Sequence, residues 1–152
     1  MVDIAALQKY SLFGGLLPEE IDLIRPFLGK VTLKVGEAAV REGEPSDRVH
    51  FILEGRVEVC KRGVVLVELS EGDTFGEMEF LEAMPAAATV RAVKPTEAAT
   101  ISNHGLYELS KKSLKTYAIV VMNLARDLSR HLRRMDDLAA GEDSASSGQP
   151  PA

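Results

Sequence analysis

The stretch from Gly72 to Arg91, GDTFGEMEFLEAMPAAATVR, gathers glycine, a carboxylate, a short apolar turn and a run of small residues into one segment. Gly76 lets backbone approach a ligand without a Cβ in the way, and Glu77 can accept hydrogen bonds from sugar hydroxyls. Pro85, the three alanines Ala86, Ala87 and Ala88, and Thr89 leave N–H groups free around a small concavity. Residues of these types suit a sugar phosphate, with the acid on the sugar and main-chain dipoles on the anion.

The elements that must position this segment follow from period and punctuation. Between Lys30 and Ile101 the apolar residues recur every second position, and Gly36, Gly43, Gly55, Gly63 and Gly72 separate short runs. Short strands with turn chemistry at such spacing predict a compact antiparallel β barrel or roll. Val49, Phe51 and Leu53 alternate with His50, Ile52 and Glu54, and Val57 and Val59 with Glu58 and Cys60, so one face is expected to be core and the other more polar. Before the strands, Asp3 to Gly29 reads as helical. Pro18 and two acids occupy a first turn, Ile21, Ile24, Phe27 and Leu28 share a face, and Pro26 ends or bends the helix.

After the strands, Ser102 or Asn103 can cap a helix through Leu109, and a longer helix is expected over Leu114 to Ala140. Leu114, Val121, Leu128 and Met135 repeat every seven positions, as do Tyr117, Leu124, His131 and Leu138, which together make a heptad seam suited to a second copy of the chain. Ala118, Ala125 and Leu132 form a second stripe, expected to pack on the chain's own β roll. His131 is read as a tolerated or hydrogen-bonded histidine on the seam rather than a pH switch. Arg126, Arg130, Arg133 and Arg134 alternate with acids and read as a solvated face. The organisation expected is a helical segment over 1–29, the β roll over 30–101 with the cassette at 72–91, C-terminal helices over 102–140, and a disordered tail over 141–152 rich in Ser, Gly and Pro. The fold class is therefore α+β, mainly β: an antiparallel β roll or jelly-roll barrel with short N-terminal helices and a C-terminal helix pair.

Composition narrows the function classes. The chain has 152 residues, 45% hydrophobic and 27% charged, which is about one globular domain. Its apolar runs fall short of the ~18 residues that span a bilayer, and no basic leader precedes a long apolar block, so a cytoplasmic protein without a membrane segment is expected. A single cysteine, Cys60, agrees with a reducing compartment and is read as a buried strand residue. The net charge of -5 argues against general affinity for nucleic acid. His50, His104 and His131 are far apart, and no HExxH, GxSxG or P-loop occurs, so neither catalysis nor a metal or cofactor is expected.

The segment from Phe75 to Val90 resembles the phosphate-binding cassette of the cyclic nucleotide-binding domain family, through Phe75-Gly76-Glu77 and Pro85-Ala86-Ala87-Ala88-Thr89-Val90. The resemblance extends over Leu12 to Leu138. Where the family's cassette carries an arginine for the cyclic phosphate, this chain has Ala86. The resemblance implies that Glu77 holds the ribose 2′-hydroxyl, and that N–H groups of Gly76, Met78, Ala87 and Ala88, beside Phe75, face ribose or phosphate. It further implies that Thr89 contacts phosphate or purine, and that Arg134, Met135 and Asp136 cover the base. Arg91, Arg48, Arg56 and Lys94 are candidate replacements for the cation, with Arg91 the nearest in sequence. Backbone amides at the start of the short cassette helix can also attract an anion.

Two readings follow. In one, the chain is a stand-alone regulatory sensor that binds a cyclic nucleotide, cyclic AMP ahead of cyclic GMP on family frequency. Occupancy then passes through its C-terminal helices to a separate effector, with a homodimer formed through helix 114–140. In the other, a degenerate cassette serves as a nucleotide-independent interaction or dimerisation module. The intact Phe75-Gly76-Glu77 favours the first and Ala86 the second. The family's transcription regulators carry a helix-turn-helix after the long helix; none is read here, so no DNA-binding role is expected of this chain.

Overall fold

The structure, a computed structural model, describes residues 11–146. The beginning of the expected N-terminal helix, at Asp3, and residues 147–152 of the expected tail lie outside the described residues. The period-two region forms eight strands: β1 (Leu28–Leu33), β2 (Ala38–Val40), β3 (Arg48–Glu54), β4 (Arg56–Lys61), β5 (Val64–Ser70), β6 (Thr74–Phe75), β7 (Thr89–Ala92) and β8 (Thr96–Ser102). They pair antiparallel in two four-stranded sheets, ordered β1-β8-β3-β6 and β2-β7-β4-β5. Four α-helices complete the described residues: α1 (Pro18–Ile24), α2 (Glu77–Glu82), α3 (Asn103–Lys112) and α4 (Leu114–Ser146). The expected α+β roll, with short helices before it and a helix pair after it, is the fold observed.

Local chemistry accounts for the boundaries. Pro18 opens α1, where its missing N–H costs nothing, and Glu20 reaches back to accept from the Leu17 N–H at 3.2 Å. Pro26 ends α1 as expected, leaving a single tight turn over Arg25–Phe27. The strand then begins earlier than read, at Leu28. Gly29 pairs with Thr100, and a Cβ at Gly29 would lie 2.7 Å from the Thr100 Oγ1, so the close strand pairing selects glycine there. Ser102 caps α3, accepting from the Gly105 N–H at 3.0 Å. At the β3–β4 hairpin Gly55 has φ 111°, and any side chain would run into Thr96, whose hydroxyl accepts from the Arg56 N–H.

Two cores result, one on each side of the first sheet. Val49 and Phe51 of β3 point to the helices, where they meet Phe13, Ile21, Leu109 and Leu124. Ile52 and Phe75 point the other way, against Val40, Val57, Leu69 and Val90 of the second sheet. The alternation along β3 therefore sorts residues between two apolar interiors, and the polar outer face expected for this strand is absent from Val49 to Ile52. A strand covered on both faces has no solvent side to keep polar.

The long helix lies across the helix-side core, but on a different face from the one read. Val120 and Leu124 are buried with Thr116, Asn123 and Asp127, whereas Ala118, Ala125 and Leu132, expected to pack on the β roll, are exposed. The expected seam is also divided. Leu124 is fully buried within the domain, Tyr117 and Val121 pack beside it, and Leu114 and Leu138 face solvent. The polar residues of the covered face are each engaged. Asn123 Nδ2 donates to the carbonyls of Leu12 and Gly14 at 3.0 and 2.9 Å, Thr116 Oγ1 donates to Glu20 at 3.3 Å, and Asp127 accepts from Thr74 Oγ1 at 3.3 Å and pairs with Arg130. The helix continues to Ser146, past the expected end at Ala140. Among the described residues, no helix is long and apolar enough to cross a membrane.

His50 is buried in β3 and stacks on Phe75, ring centroids 4.7 Å apart. Burial, helped by the charge on Arg48, lowers its pKa from 6.5 to about 4. As pH falls from 6.5 the unfolded chain binds a proton that the folded chain refuses until about pH 4, so this residue's contribution to stability is lost across that window. The expected effect approaches about 3 kcal/mol at its lower end. Urea unfolding midpoints measured between pH 7 and pH 4 should fall, and His50→Phe should flatten that part of the profile.

Candidate functional site

Glu77 is the first residue of α2, and the backbone reaches it through Gly76, which sits at φ 84° with the Arg48 carbonyl only 3.0 Å from where a Cβ would project. Glycine is required here by both the dihedral and the crowding. The turn delivers the Glu77 side chain inward, where it is 4% exposed and lines a cavity of about 510 Å³. That volume suits a small organic ligand. The cavity has three walls. The cassette supplies Phe75, Gly76, Glu77, Met78, Ala87 and Ala88; the second sheet supplies Val59, Lys61, Leu66 and Val67; α4 supplies Leu128, His131, Leu132, Arg134 and Met135.

Most of the lining is aliphatic, and the few charges are specific. Glu77 Oε1 is 2.6 Å from His131 Nδ1, a contact that joins the cassette carboxylate to the long helix. With Nδ1 protonated the imidazole donates to the carboxylate. Glu79, also on α2, accepts from the Ala87 N–H at 3.0 Å and so ties the return of the cassette to its start. Arg134 Nη2 lies 3.8 Å from Asp73 Oδ1 at the mouth.

Eight of the expected contact residues therefore meet at one site: Phe75, Gly76, Glu77, Met78, Ala87, Ala88, Arg134 and Met135 all line it. Four do not. Ala86 turns away and packs between the sheets with Val40, Ile52 and Val90, while its N–H and C=O pair with Glu44 and Gly43 at 2.9 and 2.8 Å. A larger residue there would have to leave an apolar interior. Thr89 and Arg91 are on the opposite face of β7 from Val90, which lines the cavity. Thr89 Oγ1 accepts from the Glu42 N–H at 3.0 Å instead. Arg91 is bound through Nε and Nη2 to Glu58 Oε1 at 3.2 and 2.9 Å, and these hydrogen bonds, with Cys60 close by, raise its already high pKa. It does not line the cavity. Asp136 is exposed and outside the lining, one residue beyond Met135 on a helix that turns 100° per residue. Nor do Arg48, Arg56 and Lys94 line the cavity; Arg48 and Arg56 are paired with Asp47 and Glu68. The amide of Ala87, expected to face phosphate, is already taken by Glu79.

The sequence reading missed Lys61 and the α4 residues Leu128, His131 and Leu132 as cavity residues. The signal was present in part. Leu128 and Met135 share the seam with His131, and the seam's C-terminal half covers the cassette. Among the described residues, no cluster of His, Cys, Asp and Glu is arranged to hold a metal ion.

Comparison with known proteins agrees with this geometry. The cAMP-dependent protein kinase regulatory subunit of Debaryomyces hansenii is 33% identical over 104 residues, covering 68% of this chain and 23% of the relative. The cyclic AMP receptor protein of Thermus thermophilus is 28% identical over 130 residues, covering 82% of this chain and 58% of that protein. The chain thus matches a minority of the kinase subunit and somewhat over half of the receptor. Among solved structures, a cyclic nucleotide-binding domain from Methylobacillus flagellatus superposes with a TM-score of 0.83 at 26% identity, over 91% of this chain and 81% of that one. The profile of the cyclic nucleotide-binding domain family matches residues 30–113, from β1 through the end of α3. With the β roll, the glycine-supported cassette and the helix-covered cavity all in that order, the chain belongs to the cyclic nucleotide-binding domain family.

Proposed function

We propose that this chain is a non-catalytic sensor that takes a cyclic nucleotide into the cavity beside Glu77, with cyclic AMP preferred, and reports occupancy through α4. The contact between Glu77 and His131 carries this reading, because it makes the carboxylate suited to a ribose the same one that holds the long helix. Ribose hydroxyls donating to Glu77 compete with His131, so binding and the position of α4 share one acceptor. Ligand then shifts the population of helix positions by its differential affinity for them. The aliphatic side chains of Leu128, Leu132 and Met135 offer the base a dry wall, with Arg134 at the rim. The similarity to cyclic AMP-responsive relatives supports the choice of purine. The absence of a cassette guanidinium costs about 1.5–3 kcal/mol of phosphate binding, so affinity roughly ten- to a hundred-fold below that of a cassette with arginine is expected.

Titration calorimetry of the full chain with cyclic AMP and cyclic GMP tests the reading directly. Heat should appear with cyclic AMP at micromolar to millimolar concentrations; no heat and no thermal shift with either nucleotide at millimolar concentration would overturn it. Glu77→Ala should weaken binding about tenfold or more through loss of a charge-assisted acceptor. His131→Ala should instead bind at least as tightly as the parent, while nucleotide no longer alters proteolysis of α4.

A second reading, a nucleotide-independent interaction module, draws on two observations: Ala86 is packed into the core and the Ala87 amide is occupied by Glu79. Either reading includes a homodimer through α4 and a separate effector. For the dimer, the exposed stripe of Leu114, Ala118, Met122, Ala125 and Leu132 is the available surface. Light scattering should give a dimer that becomes a monomer in a Leu114→Asp, Met122→Asp double variant of unchanged monomer stability. Leu124→Ala, in the buried face, should cost about 2–5 kcal/mol of folding stability in urea without selectively removing the dimer.

A further inference from the structure

Three basic side chains line the cavity, and they differ in what they already hold. His131 is engaged with Glu77 and Arg134 faces Asp73, whereas Lys61 has no ion-pair partner among the described residues. Its place in the sheet is equally specific. Cys60 pairs with Thr89 and Val59 with Val90, so the antiparallel register carried one residue further sets Lys61 opposite Ala88. Alternation puts Lys61 on the face of β4 that carries Val59 and the cavity, opposite the face where Glu58 and Cys60 hold Arg91. The chain leaves the strand immediately afterwards. Arg62 adopts φ 52° and its N–H donates to Glu42 at 3.0 Å, which anchors the β4–β5 turn beside Lys61.

We infer that Lys61 supplies the cation for the ligand's phosphodiester, reaching across from β4 to the Ala87–Ala88 end of the cassette. The assignment rests on the nucleotide reading above and adds to it the residue that confers anion selectivity. An ammonium on a flexible stem suits this position, because it meets a phosphate oxygen as a point charge and needs no planar alignment. Glu77, at the start of the cassette turn, then takes the sugar, while Lys61 brings a positive charge to the end where Glu79 holds the Ala87 amide. The arrangement also explains how an alanine can stand at position 86: the positive charge comes from the facing strand.

The test compares the parent chain with Lys61→Met and Lys61→Arg, all titrated with cyclic AMP at low salt and again near 1 M salt, where the Debye length is about 3 Å. Lys61→Met keeps an apolar stem of similar length, and its thermal midpoint without nucleotide should match the parent. It should bind cyclic AMP about tenfold or more weakly at low salt, with the gap narrowing at high salt, and Lys61→Arg should restore affinity. A Lys61→Met chain that binds like the parent overturns the assignment while leaving the nucleotide reading intact. So does a loss that ignores salt and is not restored by arginine, since that marks packing rather than charge. A parent chain that binds no cyclic nucleotide overturns the nucleotide reading and this assignment with it.

Discussion

The seat of α4 against the first sheet depends on buried hydrogen bonds as much as on apolar area. Asn123 grips the carbonyls of Leu12 and Gly14, Thr116 meets Glu20 of α1, and Asp127 takes the hydroxyl of Thr74 at the start of β6. Each of these polar groups would cost about 1–3 kcal/mol if buried without its partner, so only one rotation of the helix about its axis satisfies them together. That rotation places Leu128, His131 and Met135 over the cassette within about two turns of Asp127. Had α4 turned by one residue, His131 would lie about 100° away from Glu77 and the cavity would lose its third wall.

The second constraint is strand alternation where β7 leaves the cassette. Val90 must face inward to close the core between the sheets, and its neighbours Thr89 and Arg91 are thereby committed to the outer surface. There Arg91 finds Glu58, directly across the strand pair, and its guanidinium is satisfied. The same rule, applied to β4, turns Val59 and Lys61 toward the cavity. A single register thus excludes one cation from the site and admits another.

Much of the architecture could be read from the chain. Glycine spacing and period-two runs predicted the roll, Pro18, Pro26 and Ser102 marked helix ends, and Phe75 through Met78 with Ala87 and Ala88 are residues that line the cavity. The reading erred where polarity was taken as a guide to exposure. The covered face of α4 carries Thr116, Asn123 and Asp127, whereas the stripe expected to pack was Ala118, Ala125 and Leu132, because hydrophobic periodicity cannot register a polar residue whose partner is more than 50 positions away. His50 and Ile52 looked like an outer face for the same reason, although a second sheet covers them.

What the sequence by itself determined is local: where turns must fall, which carboxylate follows the tight glycine, and which residues form strands or helices. These depend on dihedral preference, capping and short-range period, all of which are written within a few residues. Which face of α4 is covered, the removal of Ala86, Thr89 and Arg91 from the cavity, and the meeting of Glu77 with His131 were decided only by tertiary structure. Each depends on groups tens of residues apart competing for the same buried space and the same hydrogen-bond acceptors, and that competition is settled only when sheets and helices close on one another.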